Sequence, residues 1–351
     1  MDGRGGRAKK KVLLMGKSGS GKTSMRSVIF SNHLAESTKK LGATIEVEQS
    51  QHRFLSDLML NLWDCGGQEA FMENYLRHDQ NQIFSNVQLL IYVFDISAKE
   101  YEKERDFGYY TDCLNAIKEY SPDASIFVLI HKMDLVPSDK RNVFLRKKKE
   151  LLDHSEDVPI RVFGTSIWDE SLYRAWSRIV HTLVPNAQDL TNHLDEFVEA
   201  CSAIEAVIFE KKTMLLIAWS TEAGDFSKDD LDDEDDREIF ERQTPPDQSC
   251  DQSNKERCHP SVTPVLPPDR FEKISEIIKR WKNTLLNSKM NFSFQNWVQE
   301  WSNFTAVLEP LTVNTFILVI AADPDILPGA LRLNIEMAKE RFIALQAGRS
   351  R

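Results

Sequence analysis

The sequence has no cysteine pair at metal-ligand or redox spacing. Cys65, Cys113, Cys201, Cys250 and Cys258 are scattered, odd in number and form no CxxC. That excludes a zinc ribbon and a disulfide framework, and fits a reduced, cytosolic setting. No apolar run approaches about 18 residues, so no membrane-crossing helix is expected. The first residues lack the apolar centre of a secretory signal, Asp2 breaks the myristoylation pattern, and Ala347 to Arg351 hold no prenylatable cysteine. Any work at a membrane therefore requires a partner to hold the chain there. A net basic balance is also lacking, since Asp and Glu number 54 against 44 Lys and Arg. A formal net charge of -10 argues against a general nucleic-acid binder. The short runs Lys9 to Lys11 and Lys147 to Lys149 read as solvated faces.

What is present is an ordinary globular composition, 41% hydrophobic and 28% charged, over 351 residues, a length that fits two domains better than one. Residues 11 to 187 alternate apolar strand-like runs with amphipathic helical segments. The runs are Val12 to Met15, Leu58 to Trp63, Leu89 to Phe94, Ile126 to Ile130 and Ile160 to Phe163. Continuous apolar runs of this length suit parallel strands covered on both faces, so a doubly wound α/β domain is expected after a short tail, 1–10. A different order follows in 190–351: helix, two strands, helix, strands, helix. This predicts a smaller α+β domain. Within it, residues 221–268 carry the acidic stretch Asp229 to Asp236 and many prolines, and read as a disordered insert.

The strongest chemical signal is Gly16-Lys17-Ser18-Gly19-Ser20-Gly21-Lys22-Thr23, a G-x-x-x-x-G-K-[ST] run between a strand and a helical pattern. In that context the glycines, Gly19 and Gly21 among them, let backbone N–H groups converge on the α- and β-phosphates, and Ser18 is a further nucleotide-binding candidate in the same loop. Lys22 reaches the β- and γ-phosphates, Thr23 offers a hydroxyl to Mg2+, and Ser24 contacts the α-phosphate. The second signal, Trp63-Asp64-Cys65-Gly66-Gly67-Gln68, sits at a strand exit. There Asp64 would hold Mg2+ through a water, the Gly67 N–H would meet a γ-phosphate, and Gln68 would orient the attacking water. The third is His131-Lys132-Met133-Asp134. A carboxylate at Asp134 can accept from guanine N1–H and the 2-amino group, a donor pair that adenine lacks. The Lys132 stem would pack over the base. Thr165-Ser166-Ile167 closes the opposite edge, with the Ser166 N–H expected to face guanine O6. A further hydroxyl must ligate Mg2+ from the loop before Asp64. Thr44 is the candidate, with Thr38 in the same loop as the alternative.

These residues resemble the Rag/Gtr small GTPases, and most closely their RagA/B-type branch. The resemblance is carried by GKSGSGKTSMRS (16–27), LGATIEVE (41–48), LNLWDCGGQE (60–69), LIYVFD (90–95), HKMDL (131–135), TSIWDE (165–170) and FEKISEIIK (271–279). HKMD, where most small GTPases have Asn-Lys-x-Asp, is the specific mark. The resemblance implies a P-loop GTPase domain followed by a longin/roadblock-like domain that pairs with a RagC/D-type chain. It further implies signalling of amino-acid sufficiency to the TOR kinase complex at the lysosomal or vacuolar surface. A lipidated scaffold complex would tether the pair, and GTPase-activating and exchange factors would set its state. No nucleic acid and no direct membrane insertion are implied. Ser18 departs from the glycine of Ras-like proteins, so the Ras arginine-finger geometry does not transfer directly. The leading functional expectation is a slow GTPase timer using Gln68. The alternative is a pseudo-GTPase scaffold that holds nucleotide without meaningful turnover.

Overall fold

Leu13 and Leu14 are adjacent and both fully buried, yet they belong to two different apolar clusters. Successive side chains of a strand point to opposite faces, so this strand must be covered on both sides. The computed structural model describes residues 9–55, 58–155, 158–184, 186–220, 270–287, 295–300, 304–323 and 325–346. The expected insert 221–268 and most of the expected tail 1–10 lie outside the described residues.

The strand in question is β1 (Lys9–Met15). With β2 (Val47–Leu55), β3 (Leu58–Cys65), β4 (Val87–Asp95), β5 (Ser125–His131) and β6 (Ile160–Thr165) it forms a sheet of order β2-β3-β1-β4-β5-β6. All neighbours are parallel except the edge pair β2 and β3. One face carries α1 (Lys22–Phe30) and α6 (Ser171–His181), whose Met25, Ile29, Leu172 and Trp176 pack beside Val12 and Leu14. The other carries α2 (Glu69–Arg77), α3 (Gln80–Phe84), α4 (Glu100–Tyr120) and α5 (Lys140–Ser155), with Tyr110 and Phe144 beside Leu13 and Met15. Each such buried aliphatic or aromatic side chain contributes roughly 1.5–3 kcal/mol relative to exposure. Lys11, expected on a solvated face, instead lies over the Trp63 ring at 3.9 Å and donates to the Gln82 carbonyl at 2.8 Å.

The C-terminal region is α7 (Ala187–Ala200), β7 (Glu205–Glu210), β8 (Leu216–Trp219), α8 (Arg270–Asn287), β9 (Trp297–Glu300), β10 (Thr305–Pro310), β11 (Thr315–Ala321) and α9 (Pro328–Gln346). Its strands make an antiparallel sheet of order β8-β7-β11-β10-β9. Leu194 of α7 and Phe342 of α9 cover one face and join the cluster around α1 and α6, while Phe271 and Ile278 of α8 cover the other. The two sheets thus share one continuous core. Lys279 of α8 extends the contact. It is buried, and its Nζ donates to the Val28 and Ile29 carbonyls at the end of α1, each at 3.2 Å.

The parallel order has one consequence for chemistry. The carboxyl ends of β1, β3, β4, β5 and β6 open on the same edge, where open α/β sheets bind their ligands. The register sets Asp95 beside His131 and His131 beside Thr165. Motifs far apart in sequence therefore meet at one rim.

Candidate functional site

Between β1 and α1 the chain turns through Gly16, Gly19 and Gly21 at φ of 135°, 81° and 98°, a region that L side chains avoid. Space is closed as well. A Cβ on Gly16 would lie 2.4 Å from the Val93 carbonyl oxygen, and one on Gly21 would lie 2.6 Å from the His131 ring. The helix that follows has no side-chain cap and no acid in its first turn, so its free N–H groups face the cleft with partial positive charge. Ser18, Gly19, Gly21, Lys22, Thr23, Ser24, Thr44 and Gly67 all line that cleft. Lys22 is buried, and its Nζ donates to the Gly16 carbonyl at 2.6 Å and the Lys17 carbonyl at 2.8 Å. Burial lowers its pKa to about 8, with Asp64 opposing the shift. A buried ammonium held by carbonyls is short of an anion.

The turn after β3 is bound into the same loop. The Ser18 N–H donates to the Gly67 carbonyl at 2.7 Å, and a Cβ on Gly67 would come within 2.3 Å of the Gly16 carbonyl oxygen. The Gly66 N–H donates to the Glu46 carbonyl at 2.6 Å, which fixes the segment after Thr44. As a result the Thr23 and Thr44 hydroxyls meet at 2.5 Å. Asp64 is fully buried, and neither of its carboxylate oxygens has a hydrogen-bond partner among the described residues. Burial raises its pKa, against the pull of Arg26, the Thr23 hydroxyl and Lys22. Two convergent hydroxyls beside an unsatisfied buried carboxylate are all-oxygen chemistry suited to Mg2+, directly or through water. The residues therefore fit that ion. Gln68 is exposed at the start of α2, and its side chain makes no hydrogen bond to the described residues.

On the far side, His131 is buried and its Nδ1 pairs with the Thr165 hydroxyl at 2.9 Å. Burial and then Lys132 lower its pKa to about 4, so the ring is neutral. Lys132 takes a left-handed φ of 64°, and its Nζ donates to Asp95 Oδ2 at 2.6 Å. Burial pushes Asp95 up, but the bonds from Lys132 and Ser97 outweigh it and hold its carboxyl below the usual range. Asp134 Oδ1 accepts from the Ser166 hydroxyl at 2.6 Å.

Two expectations change. Thr38, the alternative switch hydroxyl, is tied to its own 3-10 turn, Ala35–Lys40, where Oγ1 donates to the Ala35 carbonyl at 2.7 Å. It is buried there and does not line the cleft. The Ser166 N–H does not face the cleft either, because it donates to the Ser171 hydroxyl at 2.9 Å. Ser166 reaches the rim through its hydroxyl, which donates to Asp134, and Ile167 is the next N–H along the loop. Sequence reasoning gave no role to Asp95 or Ser171, and named Thr165 only as part of the loop that closes the base edge, not as a partner of His131. Only Asp95, an acid closing an apolar strand, carried a local signal.

Residues 11–278 match the family described as the Gtr1/RagA G protein conserved region. The chain is 45% identical over 337 residues to "GTP-binding protein gtr1" of Schizosaccharomyces pombe, spanning 95% of each chain. It is also 45% identical over 335 residues to "Ras-related GTP-binding protein A" of Dictyostelium discoideum, spanning 95% of this chain and 97% of that one. "Ras-related GTP-binding protein C" of Homo sapiens is more distant, 29% identical over 230 residues, or 64% of this chain and 56% of that one. With the glycine loop, the Thr23–Thr44 hydroxyl pair and the Asp134–Ser166 rim on one edge, and with this asymmetry in identity, the chain belongs to the Gtr1/RagA family of G proteins, on its RagA/B-type side.

Proposed function

We propose that this cleft binds a guanine nucleotide with Mg2+ and hydrolyses GTP to GDP and phosphate. The observation that carries the reading is the Thr23–Thr44 hydroxyl pair, 2.5 Å apart, beside the unsatisfied Asp64 carboxylate. A hydroxyl from the helix that follows the phosphate loop, converging with one from a distant loop, is the arrangement a γ-phosphate-sensing metal site would use. Lys22 and the α1 N-terminus receive the phosphates. Thr23 and Thr44 hold Mg2+, with Asp64 acting through a water. When bound, Mg2+ offsets charge on the β- and γ-phosphate oxygens. Asp134 reads the guanine N1–H and 2-amino group, the Ile167 N–H serves O6, and the Lys132 stem, pinned by Asp95, packs over the base. Gln68 orients the water for in-line attack, and turnover without an activator is slow.

The A/B-type sequence, with a C-type chain among its more distant relatives, supports a switch that works in a pair. We assign 11–187 to nucleotide handling and 190–351 to pairing with a RagC/D-type chain. On α8, Ile277 is 65% and Trp281 42% exposed, and β9 is a sheet edge. Exposed apolar side chains and an open strand edge are each surfaces that a second chain can cover. The pair would report amino-acid sufficiency to the TOR kinase complex from the lysosomal or vacuolar surface, held there by a lipidated scaffold complex and set by activating and exchange factors. The test is direct analysis of nucleotide on the purified full chain, followed by single-turnover hydrolysis. Bound guanine nucleotide with measurable turnover is the expected result. Adenine nucleotide would refute the site reading, and guanine nucleotide with no turnover, even with activator, would favour a pseudo-GTPase scaffold.

A further inference from the structure

Glu48 and Asp64 are direct partners across the antiparallel β2–β3 ladder. Two carboxylates in opposed positions repel one another. The structure resolves this with one side chain from outside the ladder. Arg26 of α1 donates through Nη2 to Glu48 Oε2, and its Nε stands 3.1 Å from Asp64 Oδ2. The Nε–H is not aligned as a hydrogen bond, so both Asp64 oxygens keep their lone pairs. The contact places the carboxylate by charge without consuming it. The guanidinium is always charged and forked, which suits it to serving two carboxylates at once.

The position of each partner matters. Arg26 lies one turn along α1 from Thr23. Asp64 lies near the end of β3, just before the turn that is bonded to the phosphate loop. Glu48 is the second residue of β2, which begins three residues after Thr44. Asp64 is fully buried and the Arg26 side chain is 18% exposed, while Glu48 is 49% exposed. A single cation therefore links the three segments that carry Thr23, Asp64 and Thr44, and the phosphate and base contacts do not use it.

We infer that Arg26 is a positioning residue for the metal side of the site: it places the Asp64 carboxylate and, through Glu48, fixes the start of the strand that follows Thr44. The inference rests on reading the cleft as a Mg2+–guanine-nucleotide site. Arg26 touches neither nucleotide nor metal in this role. Its effect belongs to the metal-dependent part of nucleotide retention, whereas a residue that merely stabilised α1 would act with or without metal.

The experiment loads the full chain with fluorescent GDP and follows its release across a range of free Mg2+ and in EDTA. Arg26→Met should raise the Mg2+ concentration at half-maximal retention about 10- to 100-fold, the usual consequence of losing a group that orients a metal's surroundings, and should change release in EDTA less than about twofold. Arg26→Lys, with charge but no fork, should fall between wild type and Arg26→Met. Glu48→Gln, at an exposed position that folding tolerates, should shift the midpoint in the same direction by less. The inference is overturned if Arg26→Met speeds release equally with Mg2+ and with EDTA, or leaves the Mg2+ midpoint in place. Should Arg26→Met not fold, an unmoved midpoint in both Arg26→Lys and Glu48→Gln overturns it. Wild-type release that ignores Mg2+ altogether refutes the site reading itself, and the wild type alone reveals that outcome.

Discussion

His131 offers a quantitative test of how the base side is held. Its ring is 2% exposed, lies under Gly21, and spends Nδ1 on the Thr165 hydroxyl at 2.9 Å. Burial holds its folded pKa at about 4, against an ordinary value of 6.5. In the window between these values the unfolded chain binds the proton and the folded chain does not. Stability therefore rises with pH across the window and is lost as pH falls from 6.5 towards 4. The full difference corresponds to about 3 kcal/mol, of which about 2 kcal/mol is lost between pH 7 and pH 5. His52 has a similar depression to about 4, from burial, then Arg26 and Lys212, so the acid sensitivity of the wild type contains both rings. The difference between wild type and His131→Asn isolates one of them. Denaturation of both chains at pH 7 and pH 5 should show the wild type losing about 2 kcal/mol more than the variant. Imidazole resonances assigned by that variant should place the His131 midpoint near 4. A midpoint near 6.5, or equal acid sensitivity in both chains, would refute the argument that the ring is held neutral beneath the phosphate loop.

Four other perturbations probe the remaining contacts. Asp134→Asn should shift preference from guanine towards xanthine nucleotides, because an amide donor suits the carbonyl that replaces the 2-amino group; an unchanged GTP/XTP affinity ratio would sink that role. Thr23→Asn should weaken GTP more than GDP, and only when Mg2+ is present, as read by paired affinities with and without the metal. Gln68→Leu should keep GTP affinity within about a few-fold while lowering activator-stimulated single-turnover hydrolysis, since a contact made only in the transition state appears in the rate. Gly67→Ala should destabilise the nucleotide side by about 1–3 kcal/mol, because its Cβ would sit 2.3 Å from the Gly16 carbonyl oxygen and neither backbone can yield easily. Thermal melting of the variant with and without GDP measures that loss.

Much of this protein was legible in local sequence. Mainly apolar runs predicted β1, β3, β4, β5 and β6, because strands covered on two faces bury most of their positions; Asn61 and Arg161 interrupt two of these runs. The helices with an apolar stripe, α6, α7 and α8, were equally plain. Strand β2 was not, because Val47–Leu55 reads as polar at most positions. It lies at a sheet edge, where only its pairing to β3 makes it a strand. The phosphate loop is local chemistry: its glycines are needed wherever the loop stands. Other features had no local signature. Thr38 and Thr44 are both hydroxyls in one loop, and only the approach of Gly66 to Glu46 brings Thr44 to Thr23. The sequence identified Ser166, but which of its groups reaches the rim depended on Ser171 taking the N–H. Pairing of Lys132 with Asp95, and of Arg26 with both Glu48 and Asp64, needed the strand order. The buried Lys279 that meets α1 lies 251 residues from Val28. The sequence by itself determined which residues have the chemistry to be candidates for phosphate, metal and base, since backbone freedom and side-chain chemistry travel with each short segment. The tertiary structure decided which of them meet, since distances between remote segments follow from sheet order and register.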